Sequence, residues 1–334
     1  MSSSITDVSV LPPVRRSRRS PIADFLSRLL REKPLGMVGA IIVIVMGVTA
    51  ICADLVAPYG YNDFDLMDRL KAPSGEFLLG TDNLGRDILS RVIYGARISM
   101  VVGLGAAAVD VSVAVLIGVV SGFIGGKFDL IIQRFVDAWL CFPLLIIALS
   151  VMSILGPGLI QVIFTIGVVW GIGGSRVARS AVISIKENAY ILAANAIGAS
   201  RLRILTRHIL PNVAAPVIVI FTLAVAGTII TEATLSFLGF GVPPPQPSWG
   251  GMLSAQGRDH MLRAPWMALW PGLALSLTVF GVHVFGDALR DLLDPRLRGG
   301  IGSYGSKPKD VNKRIRRLGK SGFGEEQRGR ASNG

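Results

Sequence analysis

The side chains that could carry chemistry are few, and none is spaced for catalysis. Cys52 and Cys141 each sit inside an apolar run and read as small buried hydrophobes. The 3 histidines are scattered and form no metal-ligand spacing. No His-Glu metal pair and no Gly-x-Ser-x-Gly occurs. The nearest approach to a phosphate-binding loop is "GKS" at Gly319–Ser321, but Arg314 stands where a glycine is required, and no strand precedes it. Two carboxylates, Asp110 and Glu232, fall within apolar stretches. An acid at membrane depth is costly, so it must face a wet cavity, pair with a base or lie near the interface. Asp110 is nearer mid-span and the better pathway candidate, whereas Glu232 lies closer to the following loop.

The elements that position these residues are membrane spans. Hydrophobic residues make up 51% of the 334 and charged residues only 17%, with a mean hydropathy of +0.56, whereas soluble domains carry about a quarter charged residues. A net charge of +12 raises nucleic acid as a partner. The basic residues, however, lie beside apolar runs without interleaved aromatics, so membrane topology accounts for them and no nucleic-acid partner is expected. Six stretches approach the ~20 residues a bilayer core needs: Leu35–Val56, Ile98–Val120, Trp139–Leu155, Leu159–Gly174, Val213–Leu235 and Met267–Phe285. "GPG" at Gly156–Gly158 makes the third and fourth a helical hairpin. The expected fold is thus an all-α polytopic membrane protein with six transmembrane helices.

Placing the N-terminus inside puts 27 of the 34 lysines and arginines in cytoplasmic segments and 7 outside, so both termini are expected to be cytoplasmic. Residues 1–34 read as a cytoplasmic basic tail ending in an amphipathic surface helix, with Ile22, Phe25, Leu26, Leu29 and Leu30 at helical spacing. Residues 35–97 hold the first span and an outside loop. Residues 98–290 form a five-helix core, and 291–334 a second basic tail, disordered after 298. Gly118, Gly122 and Gly126, with Gly167 and Gly171, have the spacing that lets helices approach closely in lipid. At the end of span six, Asp287, Arg290, Asp291, Asp294 and Arg296 read as local ion pairs.

Between spans four and five, "YILAANAIGASRLRILTRHILPN" interrupts the apolar pattern from Tyr190 to Asn212. Gly198 reads as a helix stop, Ser200 as the N-cap of a second short helix, and Pro211 as its end. This helix-turn-helix elbow, within 186–211, is either an amphipathic connector or a docking surface whose small residues admit another protein.

The stretch resembles the cytoplasmic "EAA" coupling loop of ABC importer permeases. Ala193, Ala194, Gly198, Leu210 and Pro211 fit that pattern, while Leu192 stands in place of its Glu and His208 in place of an Ile. "LGTDNLGRDILSRVIYGARIS" (Leu79–Ser99), "TEATLSFLGFGVPPPQPSWGGML" (Thr231–Leu253) and "FGDALRDLLDPRLR" (Phe285–Arg298) are similar to the dipeptide/oligopeptide/nickel permease family. The resemblance implies a pore subunit in a bacterial inner membrane. It would pair with a second permease of the family, two ABC ATPase subunits that carry ATP and Mg, and an extracytoplasmic substrate-binding protein. The chain itself is expected to hold no cofactor or metal and to catalyse nothing. The resemblance also implies an ATPase-coupling loop carried by Tyr190, Ala193, Ala194, Gly198, Ser200, Arg201, Leu210 and Pro211.

Two readings fit Asp82, Arg86 and Asp87: a structural turn with local ion pairs, or a rim that receives the binding protein or gates the outer mouth. Trp249 and Trp266 suit the membrane interface, and the proline-rich loop before Trp249 reads as a stiff cap that either touches the binding protein or only shapes the bundle. The competing function is an ion-gradient-driven secondary transporter. It predicts inverted repeats and broken helices around midplane ions, and no repeat is visible between the halves. The cargo implied is a di- or oligopeptide, a nickel chelate or a related small solute.

Overall fold

A computed structural model of the chain describes residues 21–293. Both basic tails beyond those limits, "GKS", and the pairs expected at Asp294 and Arg296 lie outside the described residues. All the regular elements described are helical. Ahead of the bundle come α1 (Pro21–Glu32), α2 (Pro34–Ile51) and α3 (Ala53–Val56). The bundle continues with α4 (Ile88–Ile124), α5 (Gly126–Leu140), α6 (Leu144–Leu155) and α7 (Leu159–Lys186). Two short helices, α8 (Ala189–Ala196) and α9 (Arg201–Ile204), lead into α10 (Leu210–Phe237). Then α11 (Trp249–Leu253) and α12 (Ala255–Asp259) precede α13 (Trp266–Leu293).

Five helices are long and apolar enough to cross a bilayer: α2, α4, α7, α10 from Pro216, and α13. The expected third span is not one straight helix. Its apolar half, α6, meets α5 at 84°, and a 12-residue helix reaches only ~18 Å of a core about 30 Å thick. Pro143 explains the break, because it supplies no N–H and disfavours helical geometry in the residue before it. Spans two and four are longer than expected. The 37 residues of α4 extend roughly 55 Å, beginning where the Asp87 carboxylate accepts from the Ser90 amide at 2.7 Å. Arg91 and Arg97 therefore belong to the helix. Likewise α7 continues past Gly174 through Arg176, Arg179 and Lys186.

The bundle has two distinguishable ends. Lys186 Nζ donates to the carbonyls of Gly122 and Phe123 at 3.1 and 2.9 Å, which ties the C-termini of α4 and α7 together at the end that carries α8 and α9. We call this the elbow end. The start of α2 lies there too, with the Gly36 backbone against Ala288 of α13. At the opposite, loop end, Arg97 donates to the Ala50 carbonyl at 2.9 Å and to Asp54 at 2.8 Å. Hydrogen bonding from Arg97 holds the Asp54 carboxyl below its usual range.

Close backbone approach sets the core. A Cβ on Gly118 would stand 2.4 Å from the Ser175 carbonyl oxygen, and one on Gly167 would stand 2.4 Å from Val109 Cβ. Gly126 differs from the expectation: it has φ +60° and nothing within 4 Å, so it links helices and packs none. Around this seam, Val102, Ala106, Met152, Ile166 and Leu235 bury one cluster that joins α4, α6, α7 and α10. Thr228 Oγ1 donates to the Gly103 carbonyl at 2.9 Å and locks α10 to α4. The tilted α5 is held to α7 by Arg179 on Asp129, through two hydrogen bonds of 2.6 and 2.5 Å, and by Arg176 on Asp137.

Substituting Gly118→Ala should cost about 1–3 kcal/mol by overpacking and lower the thermal midpoint in detergent. Gly47→Ala, in α2 with nothing near its Cβ position, should leave the midpoint unchanged or raise it slightly. Equal midpoints for the two variants would refute the seam.

Candidate functional site

The elbow is built in two halves. Helix α8 closes where the Gly198 amide donates to the Asn195 carbonyl and that of Ala199 to the Ala194 carbonyl, both at 3.0 Å. Gly198 takes φ +80°, which L side chains rarely adopt, with open space around its Cβ position. Ser200 then caps α9, its hydroxyl accepting from the Arg203 amide at 3.4 Å. Beyond α9 the chain does not stop at Pro211, as the sequence had suggested. It continues helically through a wide π turn, Leu205–Ile209, directly into α10. Pro211 falls in the first turn of α10, where the missing amide costs least.

Burial divides the elbow residues sharply. Ile191, Ala194, Ile204 and Ile209 pack with Val213 against Val119 of α4 and Val182 of α7. Ala194 is only 8% exposed, so its smallness serves the elbow's own packing and leaves no surface for a partner. Tyr190, Ala193 and Ile197 lie at i, i+3 and i+7 on the outward face, with Leu192 beside them. Ile197 is 86% exposed and Leu192 60%. Arg201, Leu210 and Pro211 are also exposed. Leu192, standing where the family pattern has Glu, thus replaces a charge by an apolar side chain on the outward surface.

At the loop end, Asp82, Arg86 and Asp87 form the turn that organises segment 57–87. Asp82 Oδ1 accepts from the amides of Leu84 and Arg86 at 2.8 and 3.0 Å, and Asp82 Oδ2 accepts from Arg86 Nε at 2.7 Å. Arg91 Nε lies 3.6 Å from the same oxygen. Asp87 is committed to Ser90, amide and hydroxyl, both at 2.7 Å. All three expected site residues are buried, so neither carboxylate is presented outward. Trp266 donates to the Thr81 carbonyl at 3.1 Å and joins the turn to α13.

Trp249 corrects the sequence reading. It is 0% exposed, not placed at an interface. Its indole N–H donates to the Val92 carbonyl at 3.0 Å, and its ring edge fills the space a Cβ on Gly95 would occupy. The proline-rich loop is therefore anchored into α4 by one buried aromatic. Glu232 lies 0% exposed beneath that loop. Ser236 donates to its Oε1 at 2.6 Å, and the Ser248 hydroxyl lies 3.2 Å from that of Ser236. Asp110 is buried near mid-length of α4, its Oδ1 3.4 Å from a Cβ position at Gly174 of α7, with no hydrogen bond to a described residue. The two acids are not brought together with each other or with the Asp82 turn.

One feature was not anticipated. A cavity of about 290 Å³ opens at the loop end between Arg86 and Arg91 on one side and residues 239–254 on the other, with Pro157 in its wall. Its sides come from parts of the sequence far apart. Arg91 lies within "LGTDNLGRDILSRVIYGARIS", and it reaches this wall because α4 starts at Ile88, ahead of the apolar run that begins at Ile98. Among the described residues no cluster of His, Cys, Asp and Glu could hold a metal ion.

Trp249→Ala should destabilise the protein by about 3–5 kcal/mol, read as a lower thermal midpoint. Trp249→Phe, which keeps most of the ring and loses the N–H, should lose about 1 kcal/mol. Indistinguishable midpoints for wild type and Trp249→Ala would contradict the anchoring role.

Comparison with known proteins agrees with this architecture. Residues 114–299 match the family described as "Binding-protein-dependent transport system inner membrane component". Residues 20–73 match the N-terminal transmembrane domain of oligopeptide transport permease C. The dipeptide transport system permease protein of Alkalihalophilus pseudofirmus is 40% identical over 279 residues, covering 84% of this chain and 91% of that one. The oligopeptide transport system permease protein of Bacillus subtilis is 40% identical over 268 residues, 80% of this chain and 88% of its own. The glutathione transport system permease protein of Pectobacterium atrosepticum is 36% identical over 293 residues, 87% and 97% of the two chains. With its long apolar helices and matches that span most of its length, the chain belongs to the family of binding-protein-dependent transport system inner membrane components, as a multi-pass membrane permease.

Proposed function

We propose that this chain is one of two permease subunits forming the pore of an ATP-driven importer of short peptides, and that the elbow is its contact with the ATPases. The observation that carries the coupling role is the outward apolar edge at Tyr190, Leu192, Ala193 and Ile197. Its inner half is keyed into the ends of α4 and α7. A surface of that kind, polar-rimmed by Arg201, Arg203 and Arg207, suits a protein partner. Force on the outward edge passes through Ile191 and Ala194 to the two helices whose glycine seam forms the core, so the elbow moves the bundle as a lever. Gly198 and Ser200 fix the corner, and Leu210 and Pro211 join it to α10.

Peptide cargo is supported by relatives named for dipeptide, oligopeptide and glutathione transport. Delivery by an extracytoplasmic binding protein follows the family description. The elbow end is assigned to the cytoplasm on the excess of lysine and arginine there. ATP and Mg belong to the ATPase subunits, and the second permease completes the pore, on which Asp110 is the first candidate to face the passage.

Two variants separate docking from folding. Ile197→Glu with Leu192→Glu should leave the thermal midpoint unchanged yet weaken capture of the ATPase subunits at least about tenfold. Ala194→Trp should lose capture because the elbow itself unpacks, with a lower midpoint. ATP-dependent uptake of a dipeptide into proteoliposomes holding the complete transporter should fall in step with capture. Undiminished capture by the double variant, or uptake driven by an ion gradient without ATP, would overturn the proposal.

A further inference from the structure

The cavity at the loop end contains an uncompensated positive charge. Arg86 and Arg91 are the charged residues in its wall, with side chains only 5% and 8% exposed. They share one carboxylate, Asp82, at 2.7 and 3.6 Å. Arg91 Nη1 is used on the Tyr61 carbonyl at 2.9 Å. Among the described residues, no acceptor takes a hydrogen bond from either terminal amino group of Arg86 or from Arg91 Nη2. Of the other acids nearby, Asp87 is committed to Ser90, and Glu232 accepts from Ser236 through Oε1 while its buried Oε2 has no partner among the described residues. Neither forms an ion pair with Arg86 or Arg91. The rest of the wall is neutral, including Pro244, Gln246, Ser248 and Met252. A desolvated guanidinium pair with one partner between them and donors to spare calls for a second anion, and the fork geometry favours a carboxylate.

We propose that this cavity receives the C-terminal carboxylate of a short peptide, held by Arg86 and Arg91 under the proline-rich loop. The volume decides for a small ligand. At about 290 Å³ it lies at the lower edge of small-molecule pockets, roughly 300–1,000 Å³, enough for a molecule of di- or tripeptide size. A single acidic side chain from a docked protein would leave most of it empty. The stiff loop, pinned by Trp249, keeps the pocket formed before the ligand arrives, so little ordering entropy is lost on binding. The proposal deepens the transport reading and rests on it for the supply of peptide.

The test uses the full chain in lipid nanodiscs, titrated with Ala-Ala, N-acetyl-Ala-Ala, Ala-Ala-amide and inorganic phosphate by microscale thermophoresis. Both free acids should bind saturably, and the amide about tenfold or more weaker, as expected for the loss of a charge-assisted pair. Gln246→Trp, which fills the cavity from its exposed rim, should abolish binding without lowering the thermal midpoint. Arg86→Lys, which keeps the charge beside Asp82 but loses the fork, should weaken it similarly. Equal affinity for acid and amide, unchanged binding in Gln246→Trp, or displacement by phosphate as effective as by dipeptide would each overturn the proposal. Uptake of Ala-Ala by the assembled transporter, measured in parallel, keeps the two readings apart. Absence of ATP-driven uptake in wild type is a failure of the transport reading. Normal uptake and normal affinity in Gln246→Trp is a failure of this site alone.

Discussion

The close approach of α4 and α7 is the constraint on which the rest of the structure depends. In a bilayer the hydrophobic effect gives little reason for two apolar helices to associate, so packing at short range must do so. Gly118 and Gly167 bring backbone against backbone or branched side chain where any Cβ would collide. Once the two helices are fixed, both ends of the protein are fixed with them. At one end Lys186 ties α7 to the last carbonyls of α4, creating the floor on which Ile191, Ala194 and Ile209 sit. At the other, the start of α4 carries Arg86's turn, Arg91 and the Val92 carbonyl that receives Trp249.

This arrangement places two kinds of chemistry at opposite ends of one rigid pair. The elbow end exposes apolar side chains on a small helical corner. The loop end buries charge in a stiff, proline-walled pocket. The α5–α6 pair differs from both: it is bent by 84°, its apolar half is too short to cross a bilayer alone, and α5 is held to α7 by arginine–aspartate pairs. Its α6 half is nevertheless part of the core, with Ala148 and Met152 fully buried against α4 and α7.

Much of the fold was legible in the sequence, and the failures have physical causes. The apolar runs located all five long helices, and glycine spacing identified the seam at Gly118, Gly122, Gly167 and Gly171, although Gly126 lies outside it. Helix length was underestimated because hydropathy ends where polarity begins, while hydrogen bonding does not. Asp87 caps α4 and Arg176 and Arg179 extend α7 through polar sequence. The bend at Pro143 was hidden inside an apolar stretch. In the elbow, composition identified the small residues but not their facing, since an eight-residue helix with apolar residues on both sides gives no moment to read. Ala194 therefore turned inward where outward had been expected. The pocket was invisible because Arg86 and Arg91 meet residues 239–254 only after folding.

The central claim is that the outward edge of the elbow touches the ATPase subunit. The most direct measurement places a photo-crosslinking amino acid at Ile197 in the assembled transporter, with the same probe at Leu262, 99% exposed at the loop end, as the control. The account predicts a crosslink from position 197 to the ATPase and none from 262. No crosslink at 197 in a complex that hydrolyses ATP and transports cargo would contradict it.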